Sequence, residues 1–296
     1  MYHWLVWQIW LELAVISAVV LLWAAFGLPR PAVVRAAGNR FARDYLLWIA
    51  PSDVDGLDRA HRTDYWLHGL AMAVGLLAYL GARLVASPYV VALVALSAAA
   101  ALSALLRLVQ AGRDFPHHPG AAAIARIRVV RLRDYLPVQT IVILACCPAI
   151  AAAGVVVGLV AIGRGMHNIE RAWFVVVSGT AVCVLGVLMP VIAAAMTRRP
   201  QPASDSGHLY LQDAWRVERL REMLWSECMG VVTVFTQAHL LLAETGDSSL
   251  WALPLVLLPP AVMLIFASGR LHFRRRLWPD LAQGEKVVVG TTEPVA

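Results

Sequence analysis

The chain contains seven charge-poor apolar runs, most about 20 residues long. Each is long enough to cross the roughly 30 Å hydrocarbon core of a bilayer as a helix. In lipid every backbone N–H and C=O must be satisfied inside the segment, so a helix is the structure such a run can adopt. The runs lie at about 4–26, 67–85, 89–109, 138–162, 173–196, 223–243 and 250–268. Only 15% of the 296 residues are charged, against roughly a quarter in soluble domains, and 60% are hydrophobic. A soluble globular enzyme and a disordered chain are both excluded. The fold class predicted is an all-α, polytopic transmembrane bundle over residues 1–282, with residues 283–296 a polar, turn-forming tail expected to be disordered.

The basic residues set the predicted orientation. Arg30, Arg35, Arg40, Arg43, Arg59 and Arg62 lie between the first and second runs. Arg107, Arg113, Arg126, Arg128, Arg131 and Arg133 surround the loop after the third. Arg198, Arg199, Arg216, Arg219 and Arg221 follow the fifth, and Arg270, Arg274, Arg275, Arg276 and Lys286 the seventh. Of 25 Lys and Arg, only Arg83, Arg164 and Arg171 fall on the other side. Basic loops stay in the cytoplasm, so the N-terminus is expected outside and the C-terminus inside a cytoplasmic membrane. The net charge of +6 then points to anionic headgroups of the inner leaflet, not to nucleic acid. Trp4, Trp7 and Trp10 at one end of the first run, with Trp23 and Phe26 at the other, form the aromatic belts of an uncleaved span.

The spans group as one leading helix and three hairpins. Arg43-Asp44-Tyr45-Leu46 recurs as Arg133-Asp134-Tyr135-Leu136, with variants Thr63-Asp64-Tyr65-Trp66 and Arg221-Glu222-Met223-Leu224. Two readings fit. The recurrences mark a degenerate repeat of two-helix units, or they are the charged and interfacial residues that any cytoplasmic helix start collects. Pro31–Ala50 is predicted to be a helix stopped by Pro51, with Val34, Phe41, Tyr45 and Trp48 near one face. It either lies on the inner leaflet or packs against the end of the bundle.

Polar residues inside spans are costly and therefore informative. The sixth run is the most polar: Ser226, Gly230, Thr233 and Gln237 share one stripe, with Glu227 beside it. The seventh carries Pro254 and Pro259-Pro260, which remove backbone donors and free carbonyls within the membrane. A polar helix beside a broken one is how transporters build a midplane site, so Glu227, Thr233, Gln237, Pro259 and Pro260 are the candidate substrate or ion path. The simpler alternative is a packing seam beside a bent helix. In the fourth run, Cys146-Cys147-Pro148 can kink the helix and Gly154-x-x-x-Gly158 offers close approach to another.

A second polar group, Asp53, Asp55, Asp58 and His61, has four potential ligands in nine residues. It fails the calcium-loop template, because Leu57 and Asp58 occupy positions that need a ligand and a glycine. It also departs from the Asp-Gly-x-x-Ala-Arg signature of CDP-alcohol phosphotransferases: Arg59-Ala60 is reversed, and Ala73 and Leu77 replace the downstream aspartates. These acids read as the first turn of a helix, where the dipole favours negative charge. The four cysteines, Cys146, Cys147, Cys183 and Cys228, lack metal-ligand spacing and read as small packing residues. No metal or cofactor is expected, and no nucleotide-binding loop, zinc-protease pair or nucleophile elbow occurs. The function expected is transport: a permease, or the membrane subunit of an export or resistance system. The alternatives are an enzyme acting on a lipid or isoprenoid, and a non-catalytic anchor or sensor. A cytoplasmic protein partner or self-association fits the basic loops.

Overall fold

The computed structural model describes residues 30–83, 130–165, 168–198, 203, 205–243 and 269–290. The predicted first, third and seventh spans, and with them Pro259 and Pro260, lie outside the described residues. In order, the elements are α1 (Pro31–Asp44), β1 (Leu47–Ile49), α2 (Pro51–Arg83), α3 (Leu132–Tyr135), α4 (Val138–Gly163), α5 (Ile169–Arg198), α6 (Ser206–Ala243), α7 (His272–Leu277) and β2 (Val287–Val289).

Among the described residues, α4, α5 and α6 are long and apolar enough to cross a membrane. They coincide with the predicted fourth, fifth and sixth spans, and α4 and α5 form the expected hairpin. The three pack on one another around Cys147, Ala151, Phe174, Val182, Cys228 and Val234. Their outward faces carry exposed Val142, Val156, Val177, Val187 and Val191. In water those faces would aggregate; in lipid they meet a solvent as apolar as themselves.

Lipid gives helices no hydrophobic reason to associate, so close packing must hold this seam. The two predicted glycines serve different neighbours. A Cβ on Gly154 would lie 2.6 Å from Val234 of α6, while one on Gly158 would lie 2.9 Å from the Ala172 carbonyl oxygen of α5.

Helix α6 begins 17 residues before the predicted sixth span, at Ser206 instead of Met223. Its first half carries a second core at the polar end of the bundle: Phe41, Tyr45, Tyr135, Tyr210, Trp215 and Phe273. The recurring tetrapeptides meet here. Tyr45 donates to Glu218 (2.6 Å) and Tyr135 to Asp213 (2.9 Å). Asp64 pairs with Arg219, and Arg219 with Glu222. Tyr45, Asp64 and Tyr135 therefore fasten earlier segments to one helix, and Tyr45 leads into a strand, not a span.

Two expectations are corrected. The Pro31–Ala50 helix stops at Asp44, because Leu46 turns into the left-handed region (φ 56°) and Leu47–Ile49 becomes a strand. Pro51 starts the next helix instead of ending the first. Trp48 consequently leaves the apolar face and is 48% exposed. The face of Val34, Phe41 and Tyr45 is buried in the protein, so it is not available to the leaflet. The tail, expected to be disordered, supplies β2, which pairs in parallel with β1 in the register Leu47↔Val287 to Ile49↔Val289. Three successive β-branched valines favour extended backbone, and the β1 edge gives them a partner. Gly207 lets α6 start against this strand: a Cβ there would lie 2.2 Å from the Val288 carbonyl oxygen.

The tight contact at Gly158 generates a prediction. Gly158→Ala should destabilise the α4–α5 hairpin by about 1–3 kcal/mol, since the obstacle is backbone and cannot swing aside. Gly163→Ala, with nothing within 4 Å of its Cβ position, should be near neutral. Denaturation in detergent measures both.

Candidate functional site

Glu227 sits on the face of α6 that meets both α4 and α5. It is 3% exposed, and neither carboxyl oxygen has a hydrogen-bond partner among the described residues. A Cβ on Gly186 of α5 would lie 2.5 Å from Glu227 Oε1 and 3.1 Å from the Pro148 ring of α4, so only glycine leaves the carboxyl its place. Burying a carboxyl without partners costs several kcal/mol. Packing alone would not select it over glutamine or leucine.

The other described residues of the predicted path, Thr233 and Gln237, lie further along α6. Thr233 donates to the Met229 carbonyl (2.9 Å) and Ser226 to the Glu222 carbonyl (3.0 Å), each hydroxyl folding back onto its own helix. Gly230 packs on Val182, and Gln237 is buried further along. The stripe is a packing seam with satisfied hydroxyls, and Glu227 stands apart from it.

The second predicted group also disperses. Asp53, in the first turn of α2, faces His208 Nε2 (3.2 Å) across the start of α6. Asp205 holds the other ring nitrogen of His208 (2.5 Å). Asp58 reaches Arg35 at 3.6 Å, and Asp55 is exposed. Among the described residues no three His, Cys, Asp or Glu side chains are grouped to hold a metal ion. Asp53 is the first-turn acid of α2, and Asp53 and Asp58 tie that helix to its neighbours.

His61 turns instead into a cavity of about 570 Å³ between α1, α2 and α6, with Arg270 at its edge. Its ring stands edge-on to Trp215 (4.9 Å) and Phe41 (5.9 Å). Burial first, and then the charge of Arg219, lower its pKa to about 4, so it is neutral at pH 7. Arg219 is 2% exposed, stacks over Trp215 at 4.6 Å, and bridges Asp64 (2.6 Å) and Glu222 (3.0 Å). Glu218 accepts from Tyr45, whose hydroxyl is pushed well above its ordinary pKa by burial and then by Glu218. Asp44 pairs with Arg270 on the same wall. The cavity is thus an aromatic box ringed by internally paired charges.

Sequence reasoning missed Asp64, Trp215, Arg219 and Glu222. Trp215, Arg219, Glu222 and Ser226 follow an i, i+4, i+7, i+11 spacing, which marks one helical face running into the sixth span. Comparison with protein families, with characterised proteins and with solved structures finds no match for this chain.

Two outcomes follow from this geometry. Arg219→Met should cost about 3–5 kcal/mol in denaturation experiments, because two carboxylates remain without their cation. Adding Asp64→Asn and Glu222→Gln should recover most of it. For His61, the folded pKa lies below the unfolded value of 6.5. Its contribution to stability is complete above pH 6.5 and is lost as pH falls from there toward 4. Acidification from pH 7 to 5 should therefore lower Tm more in the wild type than in His61→Phe.

Proposed function

We propose that the chain is a permease-type transport protein of the cytoplasmic membrane, and that Glu227 is its proton- or cation-carrying group. The observation that carries this reading is the buried carboxyl at the junction of three apolar helices, without a hydrogen-bond partner among the described residues. Ionisable residues placed so deep in membrane bundles mark ion and proton paths. Pro148 and Gly186, which flank the carboxyl, are a helix-bending residue and a residue without a side chain. Both leave room for a local rearrangement. The polar end, with its basic loops and exposed Arg275 and Arg276, faces the cytoplasm and anionic headgroups. The cavity around His61 is then the inner vestibule. Glu222, on its wall, precedes Glu227 by five residues on the same helix, about 7.5 Å along the axis.

The enzyme alternative is weakened by the dispersal of Asp53, Asp55, Asp58 and His61. The anchor alternative gives no reason for Glu227.

Reconstitution into liposomes holding a pH-sensitive dye tests the proposal without a known substrate. A potassium-diffusion potential, inside negative, should drive proton influx through the wild type. Glu227→Gln keeps the shape but cannot titrate, and should reduce influx to that of empty liposomes. Thr233→Val should leave it unchanged. Equal influx in the wild type and Glu227→Gln would remove the carrier role.

A further inference from the structure

Where α4 and α6 meet, the thiols of Cys147 and Cys228 face each other with their sulfurs 4.0 Å apart. Both side chains are buried, at 4% and 3% exposure. The remaining cysteines are placed differently. Cys146 is exposed on the outer surface of α4, and Cys183 donates to the Pro148 carbonyl at 3.3 Å. Glu227 precedes Cys228 on α6. Met189 and Met223 belong to the same buried cluster.

Two sulfurs at this separation are too far apart for a disulfide, whose bond is about 2.05 Å. They are close to the span of a metal bridging two thiolates, somewhat under twice a metal–sulfur bond of about 2.3 Å. Four-coordinate zinc has no site here, since no trio of ligands assembles among the described residues. A soft monovalent ion needs only two sulfurs.

We propose that Cys147 and Cys228 form a two-thiolate site for a soft monovalent cation of the copper(I) or silver(I) class, and that this is the cargo of the transport path. The second clause rests on the role proposed for Glu227; the binding site does not. On binding, two S–H bonds break and two metal–sulfur bonds form, with no change of oxidation state. Both protons leave to water.

The test uses the full chain, purified in detergent under reducing conditions and titrated with silver(I) against a competing thiol chelator. Bound metal per chain and the ultraviolet thiolate-to-metal band are the readouts. The wild type should bind one ion tightly. Cys147→Ser and Cys228→Ser should each weaken binding by at least about 100-fold, while Cys146→Ser and Cys183→Ser should not. Cys147→Ala provides a second variant, and each variant's Tm in the absence of metal shows whether it is folded. Glu227→Gln should still bind silver. Wild-type affinity in folded Cys147 or Cys228 variants would overturn the site. Intact silver binding with unchanged proton influx in Glu227→Gln would leave the site and remove the carrier role.

Discussion

Helix α6 has to satisfy two solvents with one continuous backbone. It runs 38 residues, about 57 Å, nearly twice the hydrocarbon thickness of a bilayer. Its second half packs against α4 and α5 through small residues, because lipid provides no hydrophobic drive and only close contact holds the helices. Its first half lies in a watery environment and gathers Tyr45, Tyr135, Tyr210 and Phe273 around it. There each fully buried apolar side chain contributes roughly 1.5–3 kcal/mol.

Buried polar groups follow the same division. At the polar end several are paired: Asp213 accepts from both Tyr135 and Trp278, Arg219 bridges Asp64 and Glu222, and Tyr210 donates to the Tyr45 carbonyl. In the seam the hydroxyls of Ser226 and Thr233 are absorbed by their own helix. Glu227 is different: neither oxygen of its buried carboxyl is hydrogen-bonded among the described residues. Its neighbour Cys228 faces Cys147 across the contact of α4 and α6.

The apolar runs of α4, α5 and α6, the α4–α5 hairpin, the Gly154–Gly158 approach and the unusual position of Glu227 were legible in the sequence, because each follows from one local rule of length, period or cost. What was hidden depends on distant partners. The stretch preceding Met223 reads as a charged loop, since its arginines suggest topology; only the packing of Trp215 and Arg219 against α1 and α2 makes it helix. The tail valines read as disorder because strand pairing with Leu47–Ile49 spans 240 residues and no local period announces it. Asp53, Asp58 and His61 are neighbours in sequence, yet each meets a different distant residue: His208, Arg35 and Trp215 respectively.

The account stands on α4, α5 and α6 crossing a bilayer with the polar core on its inner side. Labelling of single cysteines by a membrane-impermeant maleimide tests this most directly, in cells expressing a variant whose four native cysteines are replaced. A cysteine at Gly163, exposed at the α4 end of the hairpin, should react in intact cells. A cysteine at Asp280, exposed beside α7 at the opposite end, should react only after permeabilisation. Reaction of both from the same side would contradict the crossing. The reverse pattern would put the His61 cavity outside the cell and contradict the orientation.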